Sequence, residues 1–247
     1  MALWQSVGFM HGVMNTDNMS IDGLTIDYGP YAFMENFEAK SICNTSDHEG
    51  RYCYENQPYI GQWNLSVLAK TFSVIADETI MKNYNDTFIE KYKEKYFDIM
   101  SKKLGLGTLL EDDYKLISEL LDFLEKAEID YTPFFYYLSC DNKYEIKKLC
   151  TQEEDLDKWF ISYETRLTQE YLSKKERLKQ MRKINPKYVL KNYILQEAIE
   201  LAEKDDFSLV NSLLEIAQNP YDEHIEFERY SLKTPKVGQN IICSCSS

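Results

Sequence analysis

The sequence has 247 residues, of which 44% are hydrophobic and 28% are charged, and its formal net charge is −13 at pH 7. This composition is typical of a folded protein with a substantial core, and it excludes the disordered and fibrous classes. Because proteins that bind nucleic-acid phosphates or anionic membranes normally present basic surfaces, the charge argues against both kinds of partner.

The sequence carries no signal for export or membrane insertion. No apolar run approaches the roughly 20 residues that span a bilayer, and the N-terminus has no basic region ahead of an apolar stretch. The six cysteines are irregularly spaced, without the C-x-x-C pairs of a zinc site. We therefore expect a cytoplasmic protein.

The first two regions of the chain differ in pattern. Residues 1–62 are rich in Gly, Asn, Asp and aromatic residues, which predicts loops and short strands that carry function. Residues 63–184 predict a helical body, because apolar side chains recur there at steps of three and four residues. The first two stripes consist of Leu65, Leu68, Phe72 and Ile75, then, after a polar break at 83–86, Phe88, Tyr92, Tyr96 and Met100. We expect Trp63 to anchor the first helix in the core.

Further helices are predicted from charge, from stripes and from start signals. Leucine and isoleucine residues between 116 and 124 mark a helix that is entered through the acidic residues 111–113. Thr132-Pro133 and Asn185-Pro186 each place Pro directly after a capping residue. Thr151 and Glu154 can form a capping box for a helix that ends near residue 172.

The remaining chain is predicted to contain a hinge, two helices and a tail. The basic stretch 173–184 is expected to be an exposed hinge between helices. Two helices are predicted over about 186–204 and 208–217, followed by an irregular tail from Tyr221. Residues 185–247 thus form a helical pair and tail, and with the two preceding regions they predict one mainly α-helical domain.

The loop region contains a spacing that is known from protein kinases. Its sequence HGVMNTDN, from His11 to Asn18, is followed by Asp27-Tyr28-Gly29, whereas kinases have H-R-D-L-x-x-x-N followed by D-F-G. Asn18 and Asp27 match, in type and order, the kinase residues that bind Mg²⁺. Val13 stands at the position of the catalytic base and cannot accept a proton.

A short hairpin over 19–26, with Asp22-Gly23 as its turn, would bring Asn18 and Asp27 to one Mg²⁺. Asp17 could then accept a proton from a hydroxyl that enters at a different angle. Taken alone the pattern is weak, because Asn, Asp and Gly are also what any surface turn contains. A plain surface turn is therefore the alternative interpretation.

Two histidines near this motif favour structural interpretations. We expect His11 to orient the backbone around the metal site rather than to react. Asp47-His48 could suggest acid–base chemistry, but a local hydrogen-bonded turn is the favoured interpretation.

Four longer segments carry more information than the motif alone. They are GFMHGVMNTDNMSIDGLTIDYGPYAFME, SICNTSDHEGRY, NQPYIGQWNLSVLAKTF and INPKYVLKNYILQEAIELAEKDDFSLVNSLLEIAQNPYDEH. Together with the tail CSCSS, they resemble the selenoprotein O (SelO/YdiU) family of pseudokinase-like protein adenylyltransferases. The resemblance is close over 4–82 and 184–247, and over 83–183 it is limited to helical character.

The resemblance implies a fold and an activity. The fold is a protein-kinase-like C-lobe with its metal site near the N-terminus. The family's N-lobe lies upstream of the matching region, so the chain resembles the C-terminal half of such an enzyme with the N-lobe missing. The activity is Mg²⁺-dependent transfer of AMP from ATP to Ser, Thr or Tyr hydroxyls of protein substrates, in the cytoplasm or in a eukaryote's mitochondria.

Site roles and partners also come from the resemblance. Asp17 would be the proton acceptor, Asn18 and Asp27 would bind Mg²⁺, and Asp27 would also lie close to the nucleotide. If Asp17 is the catalytic base, a residue that cannot accept a proton, such as Val13, can occupy the position of the kinase base. A truncated gene product, or one part of a split protein with a separate N-lobe chain as partner, would show little activity alone, because the family's phosphate-binding residues lie in the N-lobe.

In this family, the positions of Cys43 and Cys245 resemble a pair that can form an intramolecular disulfide. In a reducing compartment such a bond would be regulatory. The alternative is that Cys43 is a buried apolar residue and Cys245 a free thiol in the tail, with Cys243 as a competing thiol.

Two other functions remain open on sequence grounds. One is a protein kinase proper that uses the same metal ligands. The other is a helical remnant that serves as an interaction module without catalysis. The mass added to a target separates AMP transfer from phosphate transfer, and failure to bind Mg-ATP would favour the remnant.

Overall fold

The computed structural model describes residues 1–238 and residue 241. Within this part of the chain, residues 1–32 and 39–96 form one unit, and residues 33–38 and 97–241 form another. Both are mainly α-helical, which confirms the fold class at that level. The kinase-like C-lobe and the functional division at residues 62 and 184 stay predictions.

The first unit begins with short elements and ends in longer helices. Its short elements are α1 (Ala2–Ser6), β1 (Phe9–Met10), a 3₁₀ turn (Thr16–Asn18), the first residue of β2 (Ala32–Phe33) and a second 3₁₀ turn (Tyr54–Asn56). The two strands pair as a two-stranded sheet. The helices are α2 (Gln57–Thr71), α3 (Glu78–Asp86) and α4 (Phe88–Lys103), with a 3₁₀ turn (Phe72–Val74) after α2. Helix α4 continues from the first unit into the second at Phe97.

Helix α2 begins well before the predicted start at Trp63. Pro58 is the second residue of this helix. Backbone N–H groups in the first turn have no partner inside the helix, so the absence of one in proline costs nothing there. The expectation that Trp63 anchors this helix in the core is wrong. Its side chain is 46% exposed, and the guanidinium of Arg51 lies 5.0 Å from its ring centroid.

Helix α3 occupies the segment where a polar break was predicted. Its cap explains why a polar sequence forms a helix here, since the Asp77 carboxylate accepts hydrogen bonds from the backbone N–H groups of Thr79 and Ile80. The apolar period that resumes after it is confirmed as α4, in which Tyr96 and Met100 are buried.

The second unit is built from seven further helices among its described residues. They are α5 (Glu111–Lys126), α6 (Tyr131–Ser139), α7 (Lys143–Leu149), α8 (Glu153–Leu167), α9 (Lys174–Met181), α10 (Asn192–Ala202) and α11 (Ser208–Gln218). Two 3₁₀ segments follow, Ile225–Ser231 and Lys236–Gly238. The helices predicted from 116–124 and over 208–217 are confirmed as α5 and α11.

Helix α5 shows how sequence sets both the start and the packing of a helix. The Asp113 carboxylate accepts the Leu110 N–H at 2.7 Å, which satisfies a backbone donor at the helix start. The apolar stripe of the helix is buried, with Ile117 and Leu120 fully excluded from solvent. It packs on α8, where the Trp159 indole N–H donates to the Leu116 carbonyl at 3.2 Å.

Several predicted boundaries in this unit are wrong. The stretch 173–184 contains helix α9 rather than a hinge, because Ser173 and Glu176 form a reciprocal capping box. Gln152, not Thr151, occupies the N-cap position of helix α8 and makes no side-chain cap bond, and the helix ends at Leu167 rather than near residue 172. Helix α6 starts at Tyr131, so the Thr132-Pro133 pair lies inside its first turn.

Asn185-Pro186 does not start a helix either, because tertiary contacts occupy this segment. Asn185 is buried, and its side-chain amide donates to the Lys103 carbonyl at 2.9 Å. The backbone N–H groups of Lys187 and Tyr188 both donate to the Pro220 carbonyl, at 2.8 and 3.1 Å. The next helix, α10, therefore begins only at Asn192 and packs on α11.

In the part of the chain that the structure describes, no helix combines the length and apolar character needed to cross a bilayer.

Candidate functional site

His11 is the buried centre of the loop that follows β1, with 1% of its surface exposed. Its Nε2 lies 2.8 Å from the Ile26 carbonyl oxygen. Because a carbonyl oxygen only accepts, Nε2 carries the proton, and Nδ1 is left to accept the Val13 N–H at 3.4 Å. Both ring nitrogens have backbone partners, which confirms the structural role predicted for His11.

Two further side chains hold this arrangement. The Trp4 indole N–H donates to the Thr25 hydroxyl at 3.0 Å, and its ring stacks on the His11 ring at 5.5 Å between centroids. Gln57 is fully buried and accepts the His11 N–H while donating to the Phe9 carbonyl, both at 2.9 Å. Neither residue belongs to the kinase-like motif, and no local sequence signal marks either of them.

The hairpin predicted over 19–26 is present. Met19 and Thr25 form an antiparallel bridge, and the Gly23 N–H donates to the Ser20 carbonyl at 3.1 Å. Gly23 has a φ of 75°, a left-handed conformation that favours glycine in such a turn. Because the pairing is antiparallel, the chain before Met19 and the chain after Thr25 leave from the same open end of the hairpin.

The predicted metal ligands flank this open end. Asn18 ends the 3₁₀ turn, and its amide NH₂ donates to the Val13 carbonyl at 3.0 Å. This bond fixes the amide and leaves its oxygen as the atom available to a cation. Asp27 is exposed and adopts a φ of 55°, a left-handed conformation that Asp tolerates better than most residues. Asp17 is exposed on the same 3₁₀ turn as Asn18.

The donor set fits Mg²⁺ that is bound together with phosphates. Among the described residues, no group of three or more His, Cys, Asp or Glu side chains is placed to hold a metal ion. Mg²⁺ usually takes only one or two protein carboxylates and completes its shell with water and substrate phosphates. The amide oxygen of Asn18 and the carboxylate of Asp27 would be such a partial set, and their sharing of one ion stays a prediction.

A cavity of about 510 Å³ lies between the hairpin and α2, within the range of small-molecule pockets. Asn18 and Gly23 line it on the hairpin side, and Asn64 and Leu68 line it on the helix side. Asn64 is buried and donates to the Met14 carbonyl at 2.9 Å, while its own side-chain oxygen has no hydrogen-bond partner. A buried acceptor without a donor is costly, and this oxygen has almost no accessible surface, so it is not open to a ligand in the cavity.

A second loop is tied to the motif. The Asp47 carboxylate accepts the N–H groups of Arg51 and Tyr52, at 2.9 and 2.7 Å, which confirms the local turn predicted for Asp47-His48. The Tyr52 hydroxyl in turn donates to the side-chain oxygen of Asn15, two residues before Asp17. The loop therefore supports the backbone that presents the proposed base.

Cys43 is buried beside the motif, with its thiol 3.6 Å from the Met10 carbonyl. A Cβ atom on Gly12 would lie 2.7 Å from the Cys43 sulfur, so only glycine fits at this contact. Cys245 and Cys243 lie outside the described residues, and the Cys43–Cys245 disulfide stays a prediction.

Comparison with known proteins identifies relatives over the whole chain. The family model described as "Protein adenylyltransferase SelO" matches residues 1–218. Proteins named "Protein nucleotidyltransferase YdiU" are 43% identical in Aliivibrio fischeri, 42% in Myxococcus xanthus and 39% in Pseudomonas aeruginosa, and each alignment covers 100% of this chain. It covers 51%, 52% and 51% of these relatives, respectively, so the chain spans about half their length.

Proposed function

Since the chain belongs to the SelO family of protein adenylyltransferases, we propose that it carries the metal-binding part of a site that transfers AMP from ATP to protein hydroxyls. The substrates would be Ser, Thr or Tyr side chains of other proteins. A cytoplasmic location is part of the same proposal.

The reaction needs a proton acceptor and charge stabilisation. A protein hydroxyl oxygen bonds to the α-phosphorus of ATP, the bond from that phosphorus to the bridging oxygen breaks, and pyrophosphate leaves. Bound Mg²⁺ supplies positive charge to the phosphate oxygens as negative charge shifts between them. The hydroxyl proton goes to the carboxylate of Asp17, which in this proposal replaces the kinase base at the Val13 position.

The observation that carries the proposal is the anchoring of both ends of the hairpin. On the returning side, buried His11 holds the carbonyl of Ile26, the residue immediately before Asp27. On the entering side, the Val13 carbonyl holds the amide of Asn18. Asp27 thus directly follows a hydrogen-bonded carbonyl, and the side-chain amide of Asn18 is itself hydrogen-bonded. Such preorganisation is what phosphoryl-type catalysis requires of a protein.

The nucleotide would lie beside the hairpin, where the cavity of about 510 Å³ borders Asn18. A nucleotide bound there would reach the metal with its phosphates. Asp27 would contact both the metal and the nucleotide.

A chimera tests the proposal at its catalytic step. The 247-residue chain replaces its matching half in the Aliivibrio fischeri YdiU protein, and the intact mass of a protein substrate is measured after incubation with Mg-ATP. We expect the mass of added AMP, not of phosphate, and a loss of about 10²–10⁴-fold in rate for Asp17→Ala with little change in ATP binding.

Asp22→Ala, at the exposed tip of the same hairpin, is the matched control and should keep its rate. Phosphate addition would assign a kinase instead. Near-normal AMP transfer by Asp17→Ala would remove Asp17 from the mechanism.

A further inference from the structure

One exposed corner of the first unit combines an arginine with two aromatic rings. The guanidinium carbon of Arg51 lies over the rings of Trp63 and Tyr52, at 5.0 and 5.7 Å from their centroids. Arg51 and Tyr52 belong to the loop that the Asp47 carboxylate closes, and Trp63 belongs to α2. The side chains of Arg51 and Trp63 are exposed, and Tyr52 is half-buried. Arg51, Tyr52 and Trp63 together are called the Arg51 corner.

The positive charge of Arg51 has no anionic partner within the described part of the chain. Its backbone N–H donates to Asp47, but its guanidinium forms no ion pair and no hydrogen bond with any residue that the structure describes. Rings contact the flat face of a guanidinium, whereas its five N–H groups point outward along its edge. That edge pairs with a carboxylate or a phosphate through two parallel hydrogen bonds. The corner is therefore suited to an anionic group.

The corner is tied to the backbone that carries the proposed base. The Tyr52 hydroxyl donates to the side-chain oxygen of Asn15. Asn15 directly precedes the 3₁₀ turn that contains Asp17. The path from Arg51 to Asp17 thus consists of one ring contact, one hydrogen bond and two residues of chain, on the order of 10–15 Å. About three to four residues of an extended chain span such a distance.

The place of the corner distinguishes between the two reactants, ATP and the protein substrate. None of its three residues lines the cavity of about 510 Å³ in which the nucleotide is proposed to lie. Asn64, the neighbour of Trp63 in the chain, does line that cavity. Successive residues of a helix point about 100° apart, so Trp63 lies on a different face of α2. The corner is therefore left to the protein substrate.

Nearby carboxylates limit how acidic the ligand of the corner can be. Glu49 and Glu55 are both exposed, two residues before and four residues after Arg51 in the chain. The whole protein carries a formal net charge of −13. A run of acidic residues would be repelled by these charges, whereas a single carboxylate can pair with Arg51.

We propose that the Arg51 corner binds one Glu or Asp of the protein substrate, within about four residues of the hydroxyl that receives AMP. The carboxylate pairs with the Arg51 guanidinium, which Trp63 and Tyr52 hold in place. The inference rests on the proposed AMP transfer and adds a class of substrate, namely a hydroxyl with one acidic residue nearby. Because this pair lies away from the reacting atoms, it contributes to substrate binding and not to the chemical step.

The first measurement is binding to the full 247-residue chain, without any reaction. Labelling with ¹⁵N-tryptophan gives an NMR signal for the Trp63 indole N–H, which is assigned by its loss in Trp63→Phe. The probes are alanine-rich peptides with one Ser and one Glu, placed one to four residues before or after it, and the same peptides with Gln. We expect at least one Glu peptide to shift the Trp63 signal saturably. Its Gln counterpart should bind at least about fivefold more weakly, as for the loss of a charge-assisted hydrogen bond.

The second measurement is the kinetics of AMP transfer to the same peptides by the chimera. Arg51→Gln should raise the KM of the best Glu peptide at least about fivefold, to that of its Gln counterpart, while kcat and the KM of Mg-ATP stay unchanged. Arg51→Lys should be intermediate, because an ammonium keeps the charge but loses the two parallel hydrogen bonds. Lys40→Gln is the matched control, since it removes an exposed positive charge from the same unit, and it should leave the KM unchanged.

Two results would overturn the inference. One is equal affinity and equal KM of every Glu peptide and its Gln counterpart, which would leave the proposed AMP transfer intact. The other is a raised KM of Mg-ATP in Arg51→Gln with no change for the peptides, which would assign Arg51 to the nucleotide. Glu-dependent binding without any AMP transfer would contradict the proposed function alone. The peptide comparison needs no variant, so a folding defect in Arg51→Gln cannot hide a negative result.

Discussion

His11 donates from Nε2 to the carbonyl oxygen of Ile26 across 2.8 Å, although fifteen residues separate them in the chain. The bond joins the loop after β1 to the residue that precedes Asp27. It makes His11 a backbone clamp, that is, a side chain that holds two distant backbone segments together by hydrogen bonds. The clamp has a measurable energy.

His11→Leu should lower the free energy of unfolding by about 1–3 kcal/mol, because the Ile26 carbonyl and the Val13 N–H both lose their partner. Urea unfolding measures this change. His48→Leu is the matched control, since His48 is exposed on a neighbouring loop, and it should change stability by less than about 0.5 kcal/mol. Equal effects of the two substitutions would contradict the clamp.

A buried lysine predicts the pH dependence of stability. Lys103 is 2% exposed, with its Nζ 4.3 Å from the Phe135 ring centroid and 5.5 Å from that of Tyr131. Burial lowers the pKa of Lys103 from 10.5 to about 7, so desolvation outweighs the attraction of the rings for the charged form. The unfolded chain therefore binds more protons than the folded chain between about pH 7 and 10.5.

By linkage, the contribution of Lys103 to stability rises with pH across that window. Lys103→Met removes the cost of burying the charged ammonium. The variant should therefore be more stable than the unchanged chain by about 2–4 kcal/mol at pH 7. The difference should shrink as the pH approaches 10. Denaturant unfolding at several pH values measures it, with exposed Lys102→Met as control. A difference that does not vary with pH would contradict a lowered pKa.

The ion pair of Arg166 and Asp113 predicts a strong coupling. Arg166 is 8% exposed and donates to both carboxylate oxygens of buried Asp113, at 2.6 and 3.0 Å, and to Glu170 at 2.8 Å. Arg166→Met leaves these carboxylates without their cation and should cost about 3–5 kcal/mol. Thermal or urea unfolding reports the loss.

The double variant Arg166→Met with Asp113→Asn should lose less unfolding free energy than the two single variants lose together. The reason is that the Asn amide has no charge that would be left buried without a partner. Arg182→Met, on an exposed arginine, should be nearly neutral. Strict additivity of the two single changes would show that the pair contributes no coupling.

Sequence reasoning identified what is local and periodic. Helices α4, α5 and α11 follow their apolar stripes. The hairpin also follows from local turn chemistry, although its turn closes between Ser20 and Gly23, with Ile21 and Asp22 at its centre, one residue earlier than the predicted Asp22-Gly23. The role of His11 was also predictable, because the motif places it in the loop that leads to the predicted metal ligands.

What failed depends on contacts between distant residues. Asn185-Pro186 has the local signature of a helix start. However, the Asn185 side-chain amide donates to the Lys103 carbonyl, and the next two backbone N–H groups donate to the Pro220 carbonyl. Gln57 gives no local sign that it ties His11 to Phe9, since only the folded chain brings the three together. Residues 173–184 were predicted to be a hinge because of their basic charge. The Ser173 and Glu176 capping box, which is visible in the sequence, instead begins helix α9 there.

The central claim is that Asn18 and Asp27 hold one divalent cation together with ATP. The most direct measurement is the affinity for Mn²⁺-ATP, followed by the EPR signal of Mn²⁺ in the chimera, with Asn18→Ala and Asp27→Ala compared with Asp22→Ala. We predict that each ligand variant loses at least about tenfold in affinity, equal to about 1.4 kcal/mol, while Asp22→Ala binds normally. Affinities of Asn18→Ala and Asp27→Ala that equal that of the unchanged chimera would contradict the claim.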